Sequence, residues 1–221
     1  MKTLFIESKF KGKIELNKIK VNELQKNIGL ITVVQFVNHL EKIKNYLLKN
    51  NKKIQIAKGN QKYKAQILGC DISAGYKIKN KVDAFLYIGD GKFHPWGLAI
   101  KTKKEVFSFN PLNNDFSRIK KEEIEKYKRT QKIKKIRFLS AENIGILVST
   151  KPGQSNLKKA LEIKNKLEKK GKKCFIFVFD TLNLNDLENF PFIDMWLNTA
   201  CPRIEEDSRD IINFEDIPKR N

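Results

Sequence analysis

Residues 28–57 read IGLITVVQFVNHLEKIKNYLLKNNKKIQIA, and this stretch decides the fold. It opens with Gly29–Val34, a run rich in β-branched residues that is typical of a buried strand. Lys53–Ala57 returns to a strand pattern. Between them, apolar residues recur at helical spacing, at Val37, Leu40, Ile43, Leu47 and Leu48. A strand, a helix and a second strand in this order predict a parallel pair joined by a crossover helix.

The same order of elements returns about a hundred residues later, which indicates a weak internal repeat. Gly145–Ser149 is predicted to be a strand, Leu157–Leu167 a helix and Lys173–Phe179 the next strand. In each copy a glutamine stands where the first strand gives way to the helix, Gln35 in one and Gln154 in the other. Two copies of one fold would carry their sites at equivalent places.

We therefore predict an α/β protein of two similar small domains, each a parallel sheet flanked by helices. The expected domains are residues 28–135 and 136–221, and residues 1–27 are expected to form an N-terminal arm or remnant. The highly charged segment Ser117–Lys135 is expected to be the helix that crosses between the two copies.

Two cysteines follow short apolar runs. Phe192–Arg203 reads as a buried strand that delivers Cys201 to its carboxyl end, and Gln66–Asp71 sets Cys70 just past a similar run. Ligands collect beyond the carboxyl ends of strands in open parallel sheets, so both thiols are well placed for chemistry. Cys174 instead lies at the amino end of its strand, about 17 Å away along the strand, and is expected to be a small buried hydrophobe.

A glycine-rich segment, GDGKFHPWG at 89–97, lies between two predicted strands, Asp83–Ile88 and Glu105–Phe109. Three glycines in nine residues allow the backbone to approach a ligand closely and can expose amides to anionic groups. The spacing matches neither a dinucleotide-binding fingerprint nor a P-loop.

The net charge of +20 over 221 residues predicts an acidic partner, with nucleic acid or the ribosome surface as candidates. Only six of the 45 basic residues are arginines, so the lysine excess also fits a compositional bias. Three cysteines without paired spacing, no signal-peptide pattern and no apolar run near 18 residues favour a reducing, cytoplasmic location with no membrane segment.

Four motifs together resemble the diphthamide synthase family. They are ILGCD at 67–71, GDGKFHPWG at 89–97, the SxKxGQ spacing from Ser149 to Gln154, and ACPR at 200–203. The resemblance runs from about residue 28 to 207 and preserves motif order. It implies a non-classical radical enzyme that moves the 3-amino-3-carboxypropyl group of S-adenosylmethionine to a histidine of elongation factor 2, the first step of diphthamide formation.

The resemblance also implies a [4Fe-4S] cluster held by one cysteine from each of three similar domains. Cys70 and Cys201 match two of those ligands, while the family's first domain and its cysteine have no match here. A separate partner chain is expected to supply both. The residues that the resemblance assigns to S-adenosylmethionine binding are Gln35, Gly89, Gly91, Phe93, His94, Pro95, Gly97, Ser149, Lys151, Gly153 and Gln154.

Three function classes stay open at this point. The chain is an enzyme subunit completed by a partner, a non-catalytic relative that acts as a scaffold, or a basic α/β protein that binds RNA or the ribosome. Homodimers and heterodimers are both compatible with the first class. We favour the enzyme subunit because the motifs of both retained domains persist together.

Overall fold

A computed structural model describes residues 4, 6–208 and 210–217. The chain divides into two compact units, residues 1–124 and 125–221. Residues 1–3 and 5 of the expected N-terminal arm lie outside the described part of the chain. Among the described residues, no helix combines the length and the apolar character needed to cross a bilayer.

The first unit is a five-stranded sheet in the order β2-β1-β3-β4-β5, parallel except for β5. Three α-helices connect the strands, and 3-10 turns occupy Leu16–Lys18, Val21–Glu23 and Val34–His39. In chain order the elements are β1 Asn27–Thr32, α1 Leu40–Lys49, β2 Lys53–Gln55, α2 Ser73–Ile78, β3 Ala84–Ile88, α3 Phe93–Thr102, β4 Glu105–Asn110 and β5 Asp115–Arg118.

The helix α4, Lys121–Ser140, contains the division between the units. The second unit is a four-stranded parallel sheet in the order β7-β6-β8-β9. Its 3-10 turns are Leu184–Asn189 and Pro202–Asp207. Its remaining elements are β6 Asn143–Ser149, α5 Leu157–Glu168, β7 Lys173–Phe179, β8 Met195–Asn198 and β9 Ile211–Asn213.

Continuous apolar runs form the central strands of both sheets. Every residue of β3 and of β8 is buried, and all but the first residue of β1 and of β6 are buried. Strands without polar alternation must be covered on both faces, which is typical of parallel sheets. The α/β prediction of two small parallel sheets flanked by helices is confirmed, with β5 as the antiparallel exception.

The internal repeat is visible at the amino edge of each sheet, where Asn-Ile-Gly begins both β1 and β6. Asp83 accepts hydrogen bonds from the backbone and side-chain nitrogens of Asn27, at 3.2 and 2.8 Å. Asp194 accepts the same two bonds from Asn143, at 2.8 and 3.3 Å. Hydrogen bonding from the Asn143 backbone outweighs burial and lowers the pKa of Asp194. The same carboxylate clasp therefore joins the first strand of each unit to the third.

The glycine of each Asn-Ile-Gly motif lies beside an aromatic residue on the neighbouring strand. Gly29 pairs in register with Phe85, and Gly145 pairs with Trp196. A methyl group at Gly29 would lie 2.5 Å from the Phe85 ring, and one at Gly145 would lie 2.4 Å from the indole of Trp196. Because Gly29 and Gly145 lack side chains, the Phe85 and Trp196 rings can pack against them.

Several elements differ from the sequence prediction. The charged helix expected over Ser117–Lys135 is α4, which begins only at Lys121, because the preceding residues pair with β4 as an antiparallel hairpin strand. The division of the chain falls after Ile124, whereas we expected it after residue 135. The expected arm contributes four buried residues to the first core, Ile14, Ile19, Val21 and Leu24.

Replacing Gly145 by alanine is expected to destabilise the second unit by about 1–3 kcal/mol, because the new methyl group overpacks against Trp196. The double variant Gly145→Ala/Trp196→Leu removes the aromatic ring that the methyl group would meet. It should lose less stability than the sum of the two single variants. Urea unfolding of the four proteins measures this coupling, and strictly additive losses would show that the ring does not restrict position 145.

Candidate functional site

Cys70 lies beyond the carboxyl edge of the first sheet. The backbone of residues 65–67 runs beside the end of β1, where Thr32 donates from its nitrogen to the carbonyl of Ala65 at 2.9 Å. Ile67 in turn donates to the carbonyl of Thr32 at 2.9 Å. The chain then turns at Leu68–Asp71, and the Cys70 residue is exposed there.

The turn that carries Cys70 is closed by two backbone hydrogen bonds between Leu68 and Asp71, at 2.9 and 3.1 Å. The Asp71 carboxylate accepts from the Gln61 side chain at 2.7 Å and from the Ser73 backbone at 2.9 Å. Burial opposes ionisation of this carboxyl, but these hydrogen bonds outweigh it and lower the pKa of Asp71. The charged Asp71 carboxylate therefore holds the carboxyl-terminal end of the turn in place.

The glycine-rich segment meets the Cys70 turn at this edge. β3 ends at Ile88, and Gly91 has a positive φ of 70°, which suits a residue without a side chain. The ring of Phe93 packs against Gly69, where an added methyl group would lie only 1.7 Å from a ring carbon. Gly97 also faces this turn. A methyl group added to Gly97 would lie 3.8 Å from the carbonyl oxygen of Gly69.

His94 and Pro95 lie in the first turn of α3. The His94 ring stacks on Tyr87, with ring centres 5.8 Å apart and an angle of 14° between the planes. Burial, and secondarily the charge of Asp90, raises the pKa of Tyr87, and its hydroxyl donates to the carbonyl of Asp90 at 3.2 Å. Pro95 is buried. The stacked rings of Tyr87 and His94 therefore pack beside the glycine-rich segment.

Gln35 follows β1 in the 3-10 turn Val34–His39, and it is exposed. Its carbonyl accepts a hydrogen bond from the Phe10 backbone at 2.8 Å. Because this turn leaves from the carboxyl end of β1, Gln35 belongs to the same edge as the Cys70 turn. The first unit therefore brings Cys70, the glycine segment and Gln35 to one edge.

Cys201 follows β8 at the carboxyl edge of the second sheet and precedes the 3-10 turn Pro202–Asp207. It is half-buried. The preceding Thr199 is buried and donates to the carbonyl of Leu147 from its backbone at 3.1 Å and from its hydroxyl at 2.8 Å. These bonds join the Cys201 loop to the end of β6.

The predicted Ser149–Gln154 turn leaves from the same edge. The buried Ser149 hydroxyl accepts from the Lys151 backbone at 3.1 Å, and Gln154 donates to the Lys151 carbonyl at 3.0 Å. Gly153 has a positive φ of 79°. Asn156, which starts α5, donates its side-chain amide to the carbonyl of Thr199 at 2.7 Å. Asn156 therefore joins the turn to the Cys201 loop, and the sequence did not predict this contact.

Cys174 is buried near the amino end of β7, as predicted. Burial, and secondarily the charge of Glu168, raises the pKa of its thiol. A buried thiol with a raised pKa is a poor metal ligand, because the thiolate is the form that binds. Cys174 therefore does not fit the donor set that an iron-sulfur cluster needs, whereas the accessible loop cysteines Cys70 and Cys201 do.

The prediction that the two site cysteines occupy equivalent places in the repeat is wrong. Cys201 follows β8, which corresponds to β3 in the first unit, whereas Cys70 comes before β3 and before α2. The equivalent of the Cys201 loop is the glycine-rich turn after Ile88. Both thiols nevertheless lie at the carboxyl edge of their own sheet.

The fold and the two loop cysteines place the chain among α/β proteins that carry thiols at the edges of their sheets. Comparison with known proteins identifies the family. The sequence profile of the diphthamide synthesis proteins matches residues 1–216, a longer span than the motifs indicated. The chain belongs to this family, as its motifs predicted.

The curated relatives include archaeal and eukaryotic proteins named 2-(3-amino-3-carboxypropyl)histidine synthase. The protein from Pyrococcus horikoshii is 33% identical over 190 residues, which is 85% of this chain and 54% of that protein. The protein from Methanocaldococcus jannaschii is 34% identical over 179 residues, which is 75% of this chain and 50% of that protein. A relative from Caenorhabditis elegans, named subunit 1, is 28% identical over 193 residues, which is 86% of this chain and 48% of that protein. The chain spans about half the length of the curated relatives it matches.

Among solved structures, the chain is similar to Dph2 from Pyrococcus horikoshii, crystallised with a 4Fe-4S cluster. The TM-score is 0.76 at 29% identity, and the match covers 89% of this chain and 57% of that one. Within the described part of the present chain, no three His, Cys, Asp or Glu side chains are grouped closely enough to hold a metal ion. The chain's own candidates are therefore single thiols, one in each unit.

The three thiols are expected to react with iodoacetamide in the order Cys70, Cys201, Cys174, because exposure falls in that order and the pKa of Cys174 is raised. Mass spectrometry of the reduced, metal-free chain measures the three rates. In concentrated urea the rates should converge. Fast native alkylation of Cys174 would contradict the burial described above.

Proposed function

We propose that this chain is a subunit of 2-(3-amino-3-carboxypropyl)histidine synthase. The reaction transfers the 3-amino-3-carboxypropyl group of S-adenosylmethionine to a histidine of elongation factor 2, as the first step of diphthamide biosynthesis. The observation that carries this proposal is an accessible cysteine on a carboxyl-edge loop of each unit, in a chain of the diphthamide synthesis family. The location is proposed to be the cytoplasm, where thiols stay reduced.

Cys70 and Cys201 are proposed to hold two corners of a [4Fe-4S] cluster. A third thiolate would come from a partner chain, and the name "subunit 1" carried by eukaryotic relatives supports an assembly of more than one chain. When bound, such a cluster with one open iron site would coordinate S-adenosylmethionine and supply the electron for radical cleavage of a carbon-sulfur bond. The chain's own residues would orient the substrate and exclude water.

In the first unit, the glycine-rich turn is proposed to approach the bound S-adenosylmethionine. The exposed Gly91 lets a ligand approach the backbone, whereas Gly89 is buried and its nitrogen donates to the carbonyl of Phe109 at 3.0 Å. Phe93 and His94 supply aromatic rings beside this turn. Gly97 and the buried Pro95 would fix the helix that carries these rings. Gln35 lies at the same edge and would add a polar contact.

In the second unit, the turn from Ser149 to Gln154 is proposed to receive the carboxylate of S-adenosylmethionine. Ser149 fixes the backbone of Lys151, and the positive φ of Gly153 allows the tight turn. A lysine ammonium and backbone amides at the start of a helix favour a carboxylate. The same residues could instead form a solvated turn, and binding measurements distinguish the two roles.

The test of the proposed function is anaerobic purification of this chain with a cysteine-bearing partner. The complex should be brown, contain iron and sulfide, and transfer label from S-adenosylmethionine to elongation factor 2. Cys70→Ala and Cys201→Ala should each abolish the visible absorbance and the transfer. Cys174→Ala is the matched control and should retain both. A colourless, inactive parent complex would refute the proposal, and an active Cys70→Ala complex would favour a scaffold.

Lys151→Ala is expected to weaken S-adenosylmethionine binding about tenfold, since a hydrogen bond to a charged group contributes roughly 1.5–3 kcal/mol. Lys169→Ala removes an equal charge from the far end of α5 and should leave binding unchanged. Isothermal titration calorimetry of the anaerobic complex measures both. Equal effects of the two substitutions would indicate a general charge effect, and the carboxylate site would be withdrawn.

A further inference from the structure

A network of buried polar side chains lies behind the Cys201 loop in the second unit. Its centre is an ion pair between Lys134 of α4 and Glu205 of the Pro202–Asp207 turn, at 3.2 Å. The side chains of Lys134 and Glu205 are only 4% and 3% exposed. Removing two charges from water is costly, and an apolar pair of similar size is often at least as stable. Stability alone therefore does not account for this pair.

Both oxygens of the Glu205 carboxylate accept hydrogen bonds. One oxygen accepts from the Lys134 ammonium and from the side-chain amide of Gln131, and the other accepts from the backbone nitrogen of Asn213 at 3.1 Å. The Lys134 ammonium also donates to the Glu205 carbonyl at 2.8 Å. The carboxylate thus fixes the position of β9, which contains Asn213, against the turn that follows Cys201.

The side chain of Asn213 carries this constraint forward to the cysteine. Asn213 accepts from the Asn198 amide at 2.6 Å and donates to the carbonyl of Pro202 at 3.1 Å. Asn198 in turn donates to the carbonyl of Cys201 at 2.8 Å and accepts from the backbone nitrogen of Ala200 at 2.9 Å. The backbone is therefore held at the residue before Cys201, at Cys201 itself and at the residue after it.

We propose that Glu205, acting through Asn213 and Asn198, is a positioning residue that sets the direction of the Cys201 thiol. The inference rests on the proposed function, in which Cys201 is a cluster ligand. Groups outside the ligand shell orient metal ligands, and a thiol held in one direction loses less freedom when it binds. In the part of the chain that the structure describes, the Cys70 turn is instead held by the Asp71 carboxylate and by the packing of Phe93.

The primary test is the alkylation rate of Cys201 relative to Cys70 in the reduced, metal-free full chain. Glu205→Gln leaves an amide oxygen for Asn213 but removes the charge, and Asn213→Ala cuts the link to Asn198 while keeping the buried pair. Both variants should raise the Cys201 to Cys70 ratio by about threefold or more, because thiol reactions follow access. Thermal unfolding is measured alongside.

The matched control is Asp194→Asn, which loosens a carboxylate clasp at the opposite edge of the same sheet. It should lower the unfolding temperature and leave the ratio unchanged. If Glu205→Gln does not fold, Glu205→Gln/Lys134→Met removes both buried charges and replaces it in the test. An unchanged ratio in the Asn213 variant and in the folded Glu205 variant would overturn the inference.

The cluster provides a second readout that separates this inference from the proposed function. In the anaerobic complex, the two network variants should show less iron per chain and an altered electron paramagnetic resonance spectrum, whereas Asp194→Asn should match the parent. A colourless parent complex would refute the proposed function. The alkylation ratio alone would then test whether Glu205 positions the Cys201 thiol. A normal cluster in both variants, with an unchanged ratio, would overturn the inference and leave the proposed function standing.

Discussion

The parallel pairing of the first and third strands is the constraint on which each unit depends. Ile28 pairs beside Ala84 in one unit, and Ile144 pairs beside Met195 in the other. A slip of one residue would turn every side chain to the opposite face, so the glycine-aromatic contacts and the aspartate clasps permit a single register. Because the paired strands are parallel, the loops that follow them leave from one edge.

The two candidate thiols are supported in different ways. Cys70 lies on an exposed turn that the Asp71 carboxylate, two backbone hydrogen bonds and the Phe93 ring hold in place. Cys201 is half-buried, and a chain of amide and carboxylate contacts surrounds its backbone. Each unit therefore supports its own candidate thiol through a different set of contacts.

Much of the fold could be predicted because its signals are local. Buried parallel strands have continuous apolar runs, and α1 and α5 show helical spacing in the sequence. The short helices α2 and α3 were missed, since six and ten residues that include glycine give weak periodicity. β5 was missed because a strand of sequence DFSR resembles the charged segment that follows it.

The candidate site was less predictable for a physical reason. Motif order located the cysteines and the glycine turn, but contacts such as Glu205 with Lys134 join residues far apart in the sequence. The sequence around Glu205 does not distinguish a buried carboxylate from a solvated one. The error about equivalent cysteines has the same origin, because strand order in the sheet, and not distance along the chain, decides which loops correspond.

The aspartate clasp has a consequence for the history of the protein. It is present in both units with the same asparagine partner, although the loops that follow Ile88 and Asn198 at the other edge differ in length and composition. An ancestral duplication would explain this shared contact. After it, the amino edge of each sheet would have kept the same contacts, while the loops at the carboxyl edge diverged in sequence. New chemistry could then arise on one rim of either half without disturbing how that half folds.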